Sequence, residues 1–118
     1  MSPGRAMTPE AVVQRQLEAY NARDLARFLA EYADDVRIYR PPATEPAFAG
    51  KEALAAFYAT QRFNLPGLNA TIVNRMVFGN KVIDHERIVG VRETPLDVAA
   101  VYEVVGGRIR MAWFYSAD

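Results

Sequence analysis

Apolar residues recur through the first half of the chain at the three-and-four spacing of a helix, and through the second half at the two-residue spacing of a strand. Val13, Gln16, Leu17 and Tyr20 fall at i, i+3, i+4 and i+7, which predicts a helix to about Asn21 with one mainly apolar stripe. Thr8-Pro9-Glu10 sets its start with a cap, a proline at the first helical position and an early acid. One amide, Gln16, points where the apolar residues point. Behind Asp24, a second cap, Leu25, Phe28, Leu29 and Tyr32 repeat the spacing until Ala33-Asp34-Asp35 ends that helix. Val36 to Tyr39 alternates as a strand, and Pro41-Pro42 stops it because proline has no N–H for a ladder; residues 40–50 read as a loop. After Gly50, Leu54, Phe57, Tyr58 and Gln61 trace a third helical face, closed by Asn64-Leu65-Pro66-Gly67.

Everything beyond that breaker reads as strand. Residues 69–78 and 81–92 flank Gly79-Asn80, and residues 97–105 and 108–116 flank Gly106-Gly107, two tight-turn signals with glycine for positive φ. The order predicts an α+β fold in which three N-terminal helices pack on one face of a curved antiparallel sheet, forming a cone with a mouth. Residues 1–7 are expected to be a disordered N-terminus and residues 8–118 a single domain, since no repeat or linker interrupts the pattern.

Composition narrows what such a domain does. With 118 residues, 51% of them hydrophobic, the chain buries roughly two thirds of its unfolded surface and needs only one core. Lys+Arg and Asp+Glu both number 14, so no net field draws it to nucleic acid or an anionic membrane, and neither is an expected partner. Only Lys51 and Lys81 are lysines, an imbalance that reflects either a GC-rich genome, the preferred reading, or planar guanidinium contacts. Cysteine is absent, which removes thiolate chemistry and disulfides. The opening residues lack a secretory apolar run and no stretch is long enough to span a bilayer, so a cytoplasmic location is expected and the sequon at Asn69-Ala70-Thr71 carries no meaning. No glycine-rich phosphate loop or metal-ligand cluster stands in the sequence, and no cofactor or metal is expected.

Two phrases, AVVQRQLEAYNARDLARFLAEYADDVRIY (11–39) and GKEALAAFYA (50–59), in this order before a strand meander, resemble the NTF2-like superfamily. Within it the chain is most similar to the SnoaL-like and ketosteroid-isomerase-like group. The resemblance implies an apolar pocket between sheet and helices and a homodimer joined through the outer face of the sheet. It implies no single reaction. Matched to ketosteroid isomerase, the first-helix tyrosine falls at Gln16, the base near Arg40 or Pro41 and the second acid near Ala100, so that mechanism is not expected. Matched to limonene-epoxide-hydrolase-like enzymes, HERIVGV (85–91) supplies the arginine at Arg87, but Val89 and Phe114 stand where the two acids belong.

The segment VIDHERIVGV (82–91) sets four charged or titratable residues inside an apolar strand. Period two puts His85 and Arg87 on one face and Asp84 and Glu86 on the other. The arginine match turns His85 and Arg87 to the pocket, Asp84 and Glu86 to the dimer. His85, the sole histidine, is then the candidate general acid or base; its alternative is a structural hydrogen bond. Arg87 is either a clamp for a carboxylate or enolate oxygen or the ion-pair partner of Glu103 or Asp97. The ketosteroid-isomerase match turns Ala100, Tyr102 and Val104 inward with Ala112 and Phe114, leaving Glu103 and Trp113 outside. Gln16, Tyr20, Tyr39, Tyr58, Tyr102 and Phe114 are the expected substrate-binding set, and Ala99, Val101, Trp113 and Tyr115 an apolar outer face suited to a two-fold interface. The reading is a protein that encloses a small, largely apolar molecule, either an isomerase, cyclase or lyase working by proton transfer or a non-catalytic ligand-binding or dimerisation domain.

Overall fold

The computed structural model describes residues 7–117. The expected disordered N-terminus therefore lies outside the described residues except for Met7. Helix α1 (Pro9–Asn21) opens on Thr8, whose hydroxyl accepts from the Ala11 N–H at 3.2 Å. It closes on Asn21, whose side-chain amide donates to the Ala70 carbonyl at 3.0 Å and accepts from the Ala70 N–H at 2.7 Å. That reciprocal pair imitates a strand partner and ties the end of α1 to the start of β3 (Asn69–Phe78). Asp24 caps α2 (Leu25–Ala30) by accepting from the Arg27 N–H.

Strand β1 (Tyr32–Tyr39) begins four residues before its predicted start. Its pairing with β6 (Arg108–Ser116) shifts register between Tyr32 and Arg37, and the irregularity turns Asp34 and Asp35 to solvent while Tyr32 stays buried. The predicted loop 40–50 contains a two-residue strand, β2 (Phe48–Ala49), which pairs with Arg37 and Ile38. Helix α3 (Lys51–Gln61) follows it, so only two helices precede the sheet. The last four strands are β3, β4 (Lys81–Val89), β5 (Leu96–Val105) and β6, and both two-residue turns fall where predicted. Strand β4 ends at Val89, three residues early, because Gly90 adopts φ 90° and packs against the backbone of Gly67 and Leu68, where a Cβ would collide.

The strand order is β2-β1-β6-β5-β4-β3, antiparallel throughout except for the parallel β1–β6 join. The predicted all-antiparallel sheet is corrected there: α2 and the β1 start carry the chain back so that β1 runs alongside β6. Extra residues in β3, at Val73, and in β6, at Arg110, shift the register and add bends to the sheet. Val82, Ala100, Tyr102, Val104, Ile109 and Ala112 are buried on the helix-covered face with Val12, Val13, Phe28 and Leu54. Tyr20, Phe28, Tyr58 and Phe63 interlock edge-to-face or tilted at 4.6–6.2 Å between centroids, filling the gap between α1, α2 and the end of α3.

Candidate functional site

Between α1, α3 and the concave sheet lies a cavity of about 330 Å³. Gln16 and Tyr20, one turn apart on α1, enter from one side, as the apolar stripe containing an amide requires. Phe57 and Tyr58 come from α3, and Arg62 from the residue that ends it. Ala70, Ile88, Leu96, Val98 and Phe114 give apolar walls from the sheet. Arg40 and Pro41, just past β1, complete the rim.

The sheet contributes two buried polar side chains to this cavity, Glu86 and Tyr102, with the exposed Ser116 at its edge. On β4 the buried residues are Val82, Asp84, Glu86 and Ile88, all of one parity. Across the ladder, Tyr102 of β5 donates its hydroxyl to Glu86 Oε2 at 2.8 Å, and the two residues are only 2% and 8% exposed. Among the described residues Glu86 has no cation within ion-pair distance. Burial pushes its carboxyl up to about 7, the neighbouring Asp84 adds to the rise, and the Tyr102 hydrogen bond opposes it. A carboxyl so set exchanges its proton near neutrality.

Asp84, two residues back on the same face, has a different fate. Arg75 of β3 meets it as a fork, Nε to Oδ1 at 2.7 Å and Nη2 to Oδ2 at 2.9 Å, and also donates to Gln14 Oε1 at 2.9 Å. Its charge is matched in place, and it does not line the cavity. The phenols around Glu86 are locked as donors. Burial, with the Glu86 charge, pushes Tyr58 up to about 12, and burial also lifts Tyr20, Tyr32 and Tyr102 above the ordinary tyrosine range.

Gln16, Tyr20, Tyr58, Tyr102 and Phe114 thus line the cavity as the sequence led us to expect. His85 and Arg87 do not. They lie on the opposite face of β4, their side chains 42% and 49% exposed, and both reach Asp97 of β5. Arg87 donates to both Asp97 oxygens at 2.9 and 3.0 Å, and His85 Nε2 lies 3.2 Å from Oδ2. These contacts hold the Asp97 carboxyl at about 2, Arg87 first and His85 second. The alternative of an Arg87–Asp97 ion pair is the one observed. The expected orientation was reversed because a one-residue offset in matching a strand exchanges every inward and outward side chain. Tyr39 is a second correction: Val36 and Ile38 take the buried parity of β1, so Tyr39 turns outward and stacks on Trp113 with centroids 6.1 Å apart. Among the charged cavity residues, Glu86 was expected on the opposite face and Arg62 was not singled out at all. The signal for Glu86 was the shared parity of Val82, Glu86 and Ile88, which competes with the equally apolar Ile83 and Val89 on the other parity.

Comparison with known proteins places this geometry among relatives. A family model of the SnoaL-like domain matches residues 13–111. A provisionally assigned ketosteroid isomerase from Kribbella flavida superposes with a TM-score of 0.80 at 21% identity, covering 96% of this chain and 83% of that one. An NTF2-like protein of unknown function from Cytophaga hutchinsonii gives 0.81 at 13% identity, covering 98% and 94%. A SnoaL-like protein of unknown function from Burkholderia thailandensis gives 0.78 at 20% identity, covering 93% and 94%. At these identities the structural likeness speaks for the fold alone.

Proposed function

The chain belongs to the SnoaL-like domain family of the NTF2-like superfamily, and from that premise we propose that it is a cofactor-independent isomerase, cyclase or lyase which encloses a small, largely apolar molecule and moves a proton on it with Glu86. The observation that carries this reading is the Glu86 carboxyl itself: buried in a cavity of about 330 Å³, free of any counter-cation among the described residues, and raised by burial to about 7.

In this reading Glu86 replaces His85 as the proton carrier. As a carboxylate it takes a proton from a carbon next to a carbonyl, and as an acid it returns that proton to a second position of the same molecule. The charge that develops on the carbonyl oxygen accepts hydrogen bonds from Tyr58, Tyr20 or the Gln16 amide, all of which line the cavity. Tyr102 is a positioning residue, fixing the carboxyl through Oε2 and leaving Oε1 for the substrate. The carboxyl sits on β4 and not near Arg40, where the resemblance puts the base of ketosteroid isomerase, so the steroid reaction is not part of the proposal.

A substrate-independent assay tests it. Deuterium exchange at the α-carbons of 2-tetralone, followed by NMR in heavy water, reports any positioned base in an apolar cavity. We expect exchange above buffer that rises with pH through about 7 and falls by roughly 10²-fold or more in Glu86→Gln. Equal exchange by wild type and Glu86→Gln would end the assignment. We also propose that two copies pair through the outer sheet face bearing Ala99, Val101, Trp113 and Tyr115, which sedimentation equilibrium would show as a dimer at micromolar concentration.

A further inference from the structure

Most arginine–carboxylate chemistry in this molecule is internal. Arg15 pairs with Glu31, Arg75 with Asp84, Arg87 with Asp97 and Arg110 with Asp35. Arg40 and Arg62 stand outside those pairs, as Arg23, Arg27, Arg37 and Arg108 do, but they are the two arginines that reach the cavity. Among the described residues neither has a carboxylate within ion-pair distance, yet both line the cavity. Their guanidinium carbons converge on one ring, 5.6 Å and 5.0 Å from the Phe57 centroid, and Arg40 also lies 5.5 Å from that of Phe48. The aromatic faces hold the two cations by their apolar planes and leave the N–H edges for another partner. Arg62 spends one donor on the Gln61 carbonyl at 2.7 Å and another on the Tyr20 hydroxyl, which leaves part of its five-donor fork for a ligand.

The cavity is therefore polarised. Arg40 is exposed and Arg62 half-buried, which sets the cations at the rim, whereas Glu86 is buried. Tyr58 registers both charges: the Glu86 charge opposes loss of its proton, and Arg62 and Arg40 favour it. A neutral apolar ligand would leave two cations at the mouth without a counter-charge. A chain of zero net charge has no long-range field to attract anions, so the local pair is what distinguishes them.

We infer that the substrate is an amphipathic carboxylate, its carboxyl held at the rim by Arg40 and Arg62 and its apolar ring or chain directed inward so that the reacting carbon meets Glu86. The inference deepens the proton-transfer reading and rests on it for the role of Glu86. Two guanidinium groups match the two oxygens of a carboxylate better than a single enolate or alcohol oxygen. With the anion fixed at one end, the site selects by distance which carbon lies within reach of Glu86, and this makes the arginines positioning residues for the reaction.

The test is isothermal titration of the full chain at pH 8 with 2-naphthoate and with its neutral isostere 2-naphthamide. We expect the carboxylate to bind about tenfold tighter than the amide, with the preference shrinking at high salt. Arg40→Met with Arg62→Met should remove that preference and leave amide binding unchanged, so the amide doubles as the control for an intact cavity. Glu86→Gln should retain it. Equal binding of the two probes by wild type, binding of neither, or a preference that survives loss of both arginines would each overturn the inference. The result is separable from the exchange assay. A preference that needs the arginines, found beside exchange that ignores Glu86, upholds the anion site and sinks proton transfer; the converse sinks the anion site alone.

Discussion

Strand β4 carries acids and bases on both faces, and the two faces treat them in opposite ways. On the outer face Asp97 accepts from Arg87 and His85 and is held at about 2 in contact with solvent. On the inner face Glu86 receives one phenolic hydrogen bond, has no cation within ion-pair distance among the described residues, and is raised to about 7. The outer cluster has more charges and the shorter list of consequences. What sets reactivity is the match between desolvation and compensation: Asp97 is compensated without being buried, Glu86 is buried without being compensated. Asp84 marks the middle case, buried but neutralised by a bidentate arginine, and so silent.

The largest expected effect beyond the exchange assay lies in stability against pH. Glu86 is an acid whose folded value is raised from 4.5 to about 7, so the folded state holds its proton where the unfolded chain has lost it. The contribution is whole below about 4.5, declines as pH rises and is gone above about 7, a change on the order of 3 kcal/mol. Denaturant unfolding at pH 5 and pH 8 should show Glu86→Gln equal to wild type at the lower value and more stable at the higher one. A wild-type advantage at pH 8 would contradict the burial of an unpaired carboxylate. Next in size is Tyr102→Phe, which removes the one hydrogen bond that favours the charged form; the exchange pH profile should move upward by about one unit. A shift downward, or none, would mean that Tyr102 does not hold the carboxylate. Smallest of all is the outer face. Arg87→Ala and His85→Ala should leave 2-tetralone exchange unchanged, because an exposed ion pair contributes little and touches no cavity residue. A large loss of exchange in either variant would erase the contrast between the two faces.

Much of the fold is written locally. Thr8 and Asp24 cap the helices they were expected to cap, and the Gly79-Asn80 and Gly106-Gly107 turns close both hairpins, because capping and positive φ depend on a few adjacent residues. The early start of β1 at Tyr32 and the existence of β2 depend instead on partners elsewhere, Ile109 for Tyr32 and Arg37 with Ile38 for Phe48–Ala49. The cavity residues on α1 and α3 followed from helical spacing. The facing of β4 did not, since both parities of VIDHERIVGV carry two apolar residues or more and the six residues joining β4 to β5 fix no register by themselves. One local clue was available: a two-residue turn at Gly79-Asn80 puts Arg75 opposite Asp84, a complementary pair that assigns Asp84, and with it Glu86, to the helix-covered side once Gln14 is seen to join them. Nothing in the spacing of Arg40 and Arg62 brings them together; α3 does so by ending beside the residue that follows β1.

The measurement that bears most directly on this account is a carbon-13 titration of the Glu86 side-chain carboxyl, assigned by its disappearance in Glu86→Gln. A midpoint near 7, against the low value of Asp97 on the outer face, is the predicted result. A midpoint at the ordinary glutamate value near 4.5 would contradict it, because a carboxylate already ionised and solvated at that pH is neither buried nor poised to carry a proton at neutrality.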